Sequence, residues 1–217
     1  MRYHLALMSS AKQLKEKSNT VTATDILSLF QIINHFHPVT NPEIEVFFRE
    51  HLTRAFFRKG KLLLKAGEVC DYVYFIKKGA VRGYIREGVK DITTWITADG
   101  EMVTSISGLD SREAAIDNMQ AIEDSELLAL SYTALQTLYD KFPEFNIVVR
   151  KLLQKYYRDA EGRAFIARLT NAETKYKHFL MNHSHLANRV PLKYIASFLG
   201  ITLETLSRVR KRMSQSS

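Results

Sequence analysis

From Thr202 to Met213 the sequence runs Thr-Leu-Glu-Thr-Leu-Ser-Arg-Val-Arg-Lys-Arg-Met. Wound at about 100° per residue, this stretch puts Glu204, Arg208 and Lys211 on one face and Leu206, Val209 and Met213 on the opposite one. Ser207 lies beside the charged stripe, with Arg210 and Arg212 toward its flanks. Arginine pairs bidentately with guanine, glutamate accepts from cytosine, and lysine, serine and threonine hold phosphates. Thr202, Glu204, Thr205, Ser207, Arg208, Lys211 and Arg212 therefore have between them the chemistry for a DNA major groove. The plainer reading of the same charges is a solvated helix face.

Such a stripe works only if other elements hold it. From Pro191 the sequence predicts a first helix, Leu192 to Leu199, with Ile195, Ala196 and Leu199 apolar, then a break at Gly200 and Thr202 as cap of a second helix. Ala196 and Gly200 are small where two helices would cross closely. The charge distribution points the same way. From Gly162 to Ser217 there are ten Lys or Arg against Glu173 and Glu204, so this segment carries the whole net charge of +8. A cationic module beside a neutral one suits a phosphate backbone, whose neutralisation releases counterions; a solubilising surface is the competing reading.

Further upstream, seven of the nine glycines lie between Gly60 and Gly108. They punctuate short runs rich in β-branched and aromatic residues, such as Asp71–Gly79, Ala80–Gly88 and Asp91–Gly100, which predict antiparallel strands of a sandwich or roll. The strand signal returns at residues 118–131. Helices are expected on both sides. Thr24 or Asp25 can cap one carrying Ile26, Leu29, Phe30 and Ile33, and Pro42 opens a second through Leu52. Downstream, Pro143 sits in the first turn of a long helix to about Leu169, with Phe145, Val149, Leu152, Tyr156 and Ala160 at helical spacing, widened by Val148, Leu153 and Tyr157. Gly162 is expected to bend it. About 25 helical residues span roughly 38 Å, longer than one small sheet needs, so a symmetric partner helix is expected, packing on its own sheet alone being the alternative.

Several classes are disfavoured. No stretch approaches a membrane helix in length and hydropathy, and Met1 to Ser18 lacks the apolar core of an export signal. A single cysteine, Cys70, permits neither an internal disulfide nor a cysteine-ligated cluster, and a cytoplasmic location is expected. The histidines, including those of Asn182-His183-Ser184-His185, form no convincing metal set. No nucleophile–base motif, Gly-rich phosphate loop or metal triad is visible, so no enzyme is expected.

Three segments resemble the Crp/Fnr superfamily of bacterial transcription regulators: Phe56–Ile85, similar to the start of a cyclic-nucleotide-binding β-roll with turns at Gly67 and Gly79; the long helix after Pro143, placed like that family's dimer helix; and Val190–Met213, similar to its helix-turn-helix. The resemblance implies base contacts by Glu204 and Arg208, a homodimer, double-stranded DNA with a pseudo-palindromic operator, and RNA polymerase as partners. The family's phosphate cassette departs. Laid without gaps on Gly100–Ala121, its Gly-Glu pair falls on Thr104-Ser105 and its Arg-Ser pair on Ala115-Ile116. Aliphatic side chains offer a buried phosphodiester neither charge nor donors. The pocket is expected to be degenerate, with no cofactor and no tight cyclic AMP binding; Arg112 is the nearest basic residue. Family members usually continue into a β-wing after the recognition helix; here no wing is expected, as in shortened versions associated with Bacteroidetes.

The expected fold is α+β: an N-terminal extension (1–21), a β-roll sensor domain with flanking helices (22–142), a long dimerisation helix (143–169) and an all-α helix-turn-helix domain (170–217). A small-molecule sensor whose C-terminal helices mediate protein contact is the alternative.

Overall fold

The computed structural model describes residues 20–215; the expected N-terminal extension lies almost wholly outside them. In chain order the elements are α1 (Ala23–Phe36), α2 (Pro42–His51), β1 (Leu52–Phe57), β2 (Leu62–Leu64), β3 (Tyr72–Lys78), β4 (Ala80–Glu87), β5 (Lys90–Ala98) and β6 (Met102–Val103). They continue with α3 (Ile106–Asp110), β7 (Asn118–Ala121), β8 (Ser125–Ser131), α4 (Tyr132–Lys141), α5 (Phe145–Arg168), α6 (Ala172–His183), α7 (Leu192–Leu199) and α8 (Leu203–Gln215). The strands pair antiparallel as two sheets, β1-β8-β3-β6 and β2-β7-β4-β5. Their facing side chains, among them Phe57, Ile76 and Leu128 from the first and Leu64, Val81 and Met119 from the second, share one core. This is an α+β jelly roll with helices before and after it.

The single strand signal at residues 118–131 resolves into two strands on different sheets. β7 pairs with β4 and β2, whereas β8 lies between β1 and β3, with Leu52 opposite Leu130 and Phe57 opposite Ser125. The chain changes sheet across residues 122–124, a step that hydropathy does not reveal.

Helix α1 corrects the expected cap. Thr22, not Thr24 or Asp25, is the N-cap: its hydroxyl accepts from Asp25 N at 3.3 Å, and the Asp25 carboxylate accepts from Thr22 N at 2.9 Å. Asp25 completes a capping box while fully buried, receiving Arg54 of β1 at 2.8 Å and Lys77 of β3 at 2.6 Å. Burial alone would raise this carboxyl, but the hydrogen bonds from Arg54 and Lys77 outweigh it and hold the group far below the ordinary carboxylate range. One side chain thus ties α1 to the first sheet. Asn41 caps α2, with Pro42 in its first turn.

α5 runs unbroken from Phe145 to Arg168, with Pro143 in the preceding turn and Gly162 inside the helix. Phe145 and Val148 enter the roll's core, and Tyr156 fixes the middle: its hydroxyl accepts from Met102 N at 2.9 Å and reaches Met102 O at 3.1 Å. Lys155 holds both Glu101 oxygens at 2.9 and 3.0 Å. The opposite face leaves Leu153, Tyr157 and Phe165 exposed, so the apolar stripe expected from sequence divides between roll and solvent. Among the described residues no helix is long and apolar enough to cross a membrane.

Candidate nucleic-acid interface

Around α6, α7 and α8 the side chains of Tyr176, Phe179, Leu186, Ile195, Leu199, Leu206 and Val209 form a second core, which also takes in Ile166 of α5 and residues of the second sheet. Between α7 and α8 the chain turns at Gly200, whose left-handed backbone (φ +63°) would strain any side chain. Ile201 N donates to Ala196 O at 3.0 Å across the turn. A second brace comes from Lys175 of α6, which is buried and sends its ammonium to Leu199 O at 2.8 Å, placing positive charge at the carboxyl end of α7. Thr202 then opens α8, its hydroxyl accepting from Thr205 N at 3.2 Å.

Burial along α8 follows the sequence periodicity. Leu206 and Val209 are fully buried, while Glu204, Ser207, Arg208, Lys211 and Arg212 are exposed and Thr205 half-buried. Thr205, Arg208, Lys211, Arg212 and Gln215 line one shallow cleft. Arg208 reaches only Thr205 Oγ1, at 3.4 Å, and neither Arg208 nor Lys211 enters an ion pair among the described residues. The backbone amide of Glu204 and the Thr202 hydroxyl lower the Glu204 carboxyl below its ordinary value, so it is an ionised acceptor at neutral pH. This edge carries donors, an acceptor and uncommitted positive charge. Arg210 departs from the group: it turns inward to Ala187 O and Asn188 Oδ1, both at 3.0 Å, and anchors α8 to the loop after α6.

The other candidate cluster, residues 104–117 of the roll, is closed around its own side chains. Thr104 donates to Tyr72 O at 3.1 Å, and Ser105 donates to Asp117 at 2.6 Å. Ala115 is buried against Gly108 and Cys70 so closely that a Cβ on Gly108 would lie 3.1 Å from Cys70 Cβ and 3.2 Å from that of Ala115. Ile116 points outward and is 76% exposed. Arg112, the nearest cation, is held by Cys70 O at 2.7 Å and Asp71 at 2.5 Å and lies over the Tyr132 ring. Cys70 joins the cluster, its Sγ 3.4 Å from Thr104 Oγ1 and its carbonyl held by Arg112, while Ile116 faces solvent.

His183 packs among aromatic rings, 5.4 Å from Phe179 and 6.1 Å from Phe198, and burial pushes its imidazole below the ordinary histidine value. Among the described residues no group of three or more His, Cys, Asp or Glu is arranged to hold a metal ion. Sequence reasoning missed Lys175 and the inward turn of Arg210. The amphipathic stripe around Tyr176 and Phe179 was a signal that α6 packs tightly, but it does not say which cation lies under it.

Comparison with known proteins completes the picture. Residues 54–142 match the cyclic nucleotide-binding domain family. The fumarate and nitrate reduction regulatory protein of Yersinia pestis is 29% identical over 174 residues, 73% of this chain and 68% of that one. The transcriptional activator protein Anr of Pseudomonas protegens is 24% identical over 170 residues, 73% of this chain and 69% of that one. Among solved structures, FixK2 from Bradyrhizobium japonicum aligns with a TM-score of 0.66 at 20% identity, covering 76% of this chain and 85% of its own. A CooA variant from Carboxydothermus hydrogenoformans aligns with a TM-score of 0.66 at 17% identity, covering 94% and 88%. These relatives are transcription regulators to which the chain is similar over 73% of its length, and the solved structures share its fold.

Proposed function

We propose that this chain is a homodimeric, DNA-binding transcription regulator that does not use cyclic AMP as its effector. The observation that carries this reading is the outward edge of α8: Arg208 and Lys211 are exposed and outside any described ion pair, while Leu206 and Val209 on the opposite face lock the helix to its own core. Charge held ready but unspent inside the fold is what a polyanionic partner requires. In this reading residues 22–142 form the sensor domain, 143–169 the dimer helix and 170–217 the DNA-binding domain, with 1–21 an extension before them. Base contacts fall to Glu204 and Arg208, and phosphate contacts to Thr202, Thr205, Ser207, Lys211 and Arg212.

The dimer follows from α5. Its exposed Leu153, Tyr157 and Phe165 lie on the face turned away from the roll, and a two-fold copy is the economical occupant of such a face. Two recognition helices then enter successive major grooves about 34 Å apart on a pseudo-palindromic operator, with RNA polymerase as the further partner and the cytoplasm as the site of action. The sensor pocket is degenerate, because Thr104, Ser105, Ala115 and Ile116 give a cyclic phosphate no cation and Arg112 is committed to Asp71.

The test is a fluorescence-anisotropy titration of labelled duplex at several salt concentrations. Affinity is expected to fall steeply with salt, with a log–log slope of about −0.9 per neutralised phosphate. A flat salt dependence with no retained duplex would transfer the C-terminal helices to protein contact and leave a small-molecule sensor as the reading.

A further inference from the structure

α7 does more than precede the recognition helix: it docks on the roll of its own chain. β5 is an edge strand of the second sheet, so its outer backbone groups have no neighbouring strand. Ser197 of α7 supplies the missing partners, accepting from Thr93 N at 2.9 Å and donating to Asp91 O at 3.0 Å. Beside it, the buried Arg82 of β4 lies between two aromatic rings, Tyr84 of the roll and Tyr194 of α7, its guanidinium carbon 4.1 Å from each centroid. The same guanidinium donates to Gln120 at 2.9 Å and Asp91 at 3.0 Å, which fixes its plane.

Just before α7, Arg189 donates to Gly79 O at 3.0 Å and to the carboxylates of Asp99 and Glu123, all three on the roll. Hydrogen bonds to Asp99 and Glu123 raise the Arg189 guanidinium above its ordinary value. Burial would raise the Asp99 carboxyl, but Arg189 holds it low, so both sides of the pair stay charged at neutral pH. Ala80, Ile96, Ala98 and Ile122 of the roll enter the same core as Ile195 and Leu199. Besides this joint, α6 to α8 meet α5 through residues 169–171 and through its last turns, where Ile166 enters the same core and the Phe165 ring lies 5.2 Å from that of His178.

The joint leaves the cationic edge of α8 exposed, so it does not occlude that surface. We infer that Ser197, Tyr194 and Arg189, docked on Arg82, Asp99 and Glu123 of the roll, are positioning residues that set the distance between the two recognition helices of the dimer and therefore the half-site spacing it accepts. This rests on the DNA-binding reading above. Two half-site contacts combine into one tight complex only if the second helix is presented at the right place, and without the roll joint the linker and the packing of Phe165 and Ile166 at the end of α5 would have to hold it there.

The experiment uses the full chain, an operator selected from random duplex, and a series of that operator with the half-site centres moved by up to two base pairs in either direction. The wild type is expected to favour its optimum by about 100-fold over a two-base-pair shift. Arg189→Ala with Ser197→Ala is expected to flatten that preference to within about threefold while binding an isolated half-site as the wild type does. Asp99→Asn with Glu123→Gln removes the same ion pairs from the roll side without touching α7. It is expected to flatten the preference likewise, and it decides the matter should the first variant be unfolded by circular dichroism. A sharp, unshifted spacing optimum in a folded variant overturns the inference. Failure of the wild type to enrich any operator overturns the underlying reading instead.

Discussion

Residues 104–117 of the roll and the α7–turn–α8 segment both carry charged and polar side chains, and they use arginine in opposite ways. Arg112 is spent internally on Asp71, Cys70 O and the face of Tyr132, and its neighbours Thr104 and Ser105 also bond within the chain. Arg208 hydrogen-bonds, among the described residues, to the hydroxyl one turn before it and is exposed. The residue type is the same; the difference is whether the fold has already supplied the counter-charge. Within α8 the contrast repeats two residues apart, since Arg210 closes on Ala187 and Asn188 while Arg208 stays outward. A guanidinium with its donors satisfied is a brace, and one without is available for recognition.

The largest effect that would break this contrast comes from removing the outward edge. Deleting Glu204 to Ser217 is expected to abolish retention of duplex DNA while sedimentation still reports a dimer; a monomer would move the interface away from α5. Next, Asp25→Asn removes a buried inward charge and leaves Arg54 and Lys77 without their shared partner, a loss of about 3 kcal/mol in denaturant titration. Because the folded carboxyl lies below its ordinary value, that stabilisation is fully present at neutral pH. It is lost as pH falls below the ordinary carboxylate range toward the folded value, so the gap between wild type and variant should close in acid. Sequence discrimination by this variant, measured below its melting temperature, is expected to match the wild type.

The converse holds for Arg208→Ala: discrimination among duplexes should drop by about 1–3 kcal/mol with an unchanged thermal melt. Unaltered preference would remove the base-reading role. The smallest effect sharpens the roll side of the contrast. Arg112→Ala loses a half-exposed ion pair and should cost under about 1 kcal/mol. Calorimetry with cyclic AMP is expected to show no heat for either protein, and micromolar binding by the wild type would reverse the reading of Ala115 and Ile116.

How much of this was legible in the sequence depends on how local each signal is. The α7–Gly200–α8 unit could be read almost to its bounds, because a left-handed glycine, a threonine cap and a 3.6-residue stripe are encoded within a few residues of one another. The glycine-punctuated strands were equally plain. The cap of α1 was misplaced because Asp25 resembles an ordinary surface cap until Arg54 and Lys77, brought in from β1 and β3, make it a buried hub. The sheet change at residues 122–124 was hidden for the same reason: each strand's partners lie far away in sequence. Arg82, Lys175 and Arg189 carried no local mark, since only tertiary packing decides which cations turn inward.

The central proposition is that the outward edge of α8 reads duplex DNA, and selection of bound fragments from a random duplex pool by the purified full chain tests it most directly. The account expects repeated rounds to enrich a two-fold-related pair of half-sites whose centres lie about one helical turn apart. A pool that stays random, while the protein remains folded and dimeric, would contradict it.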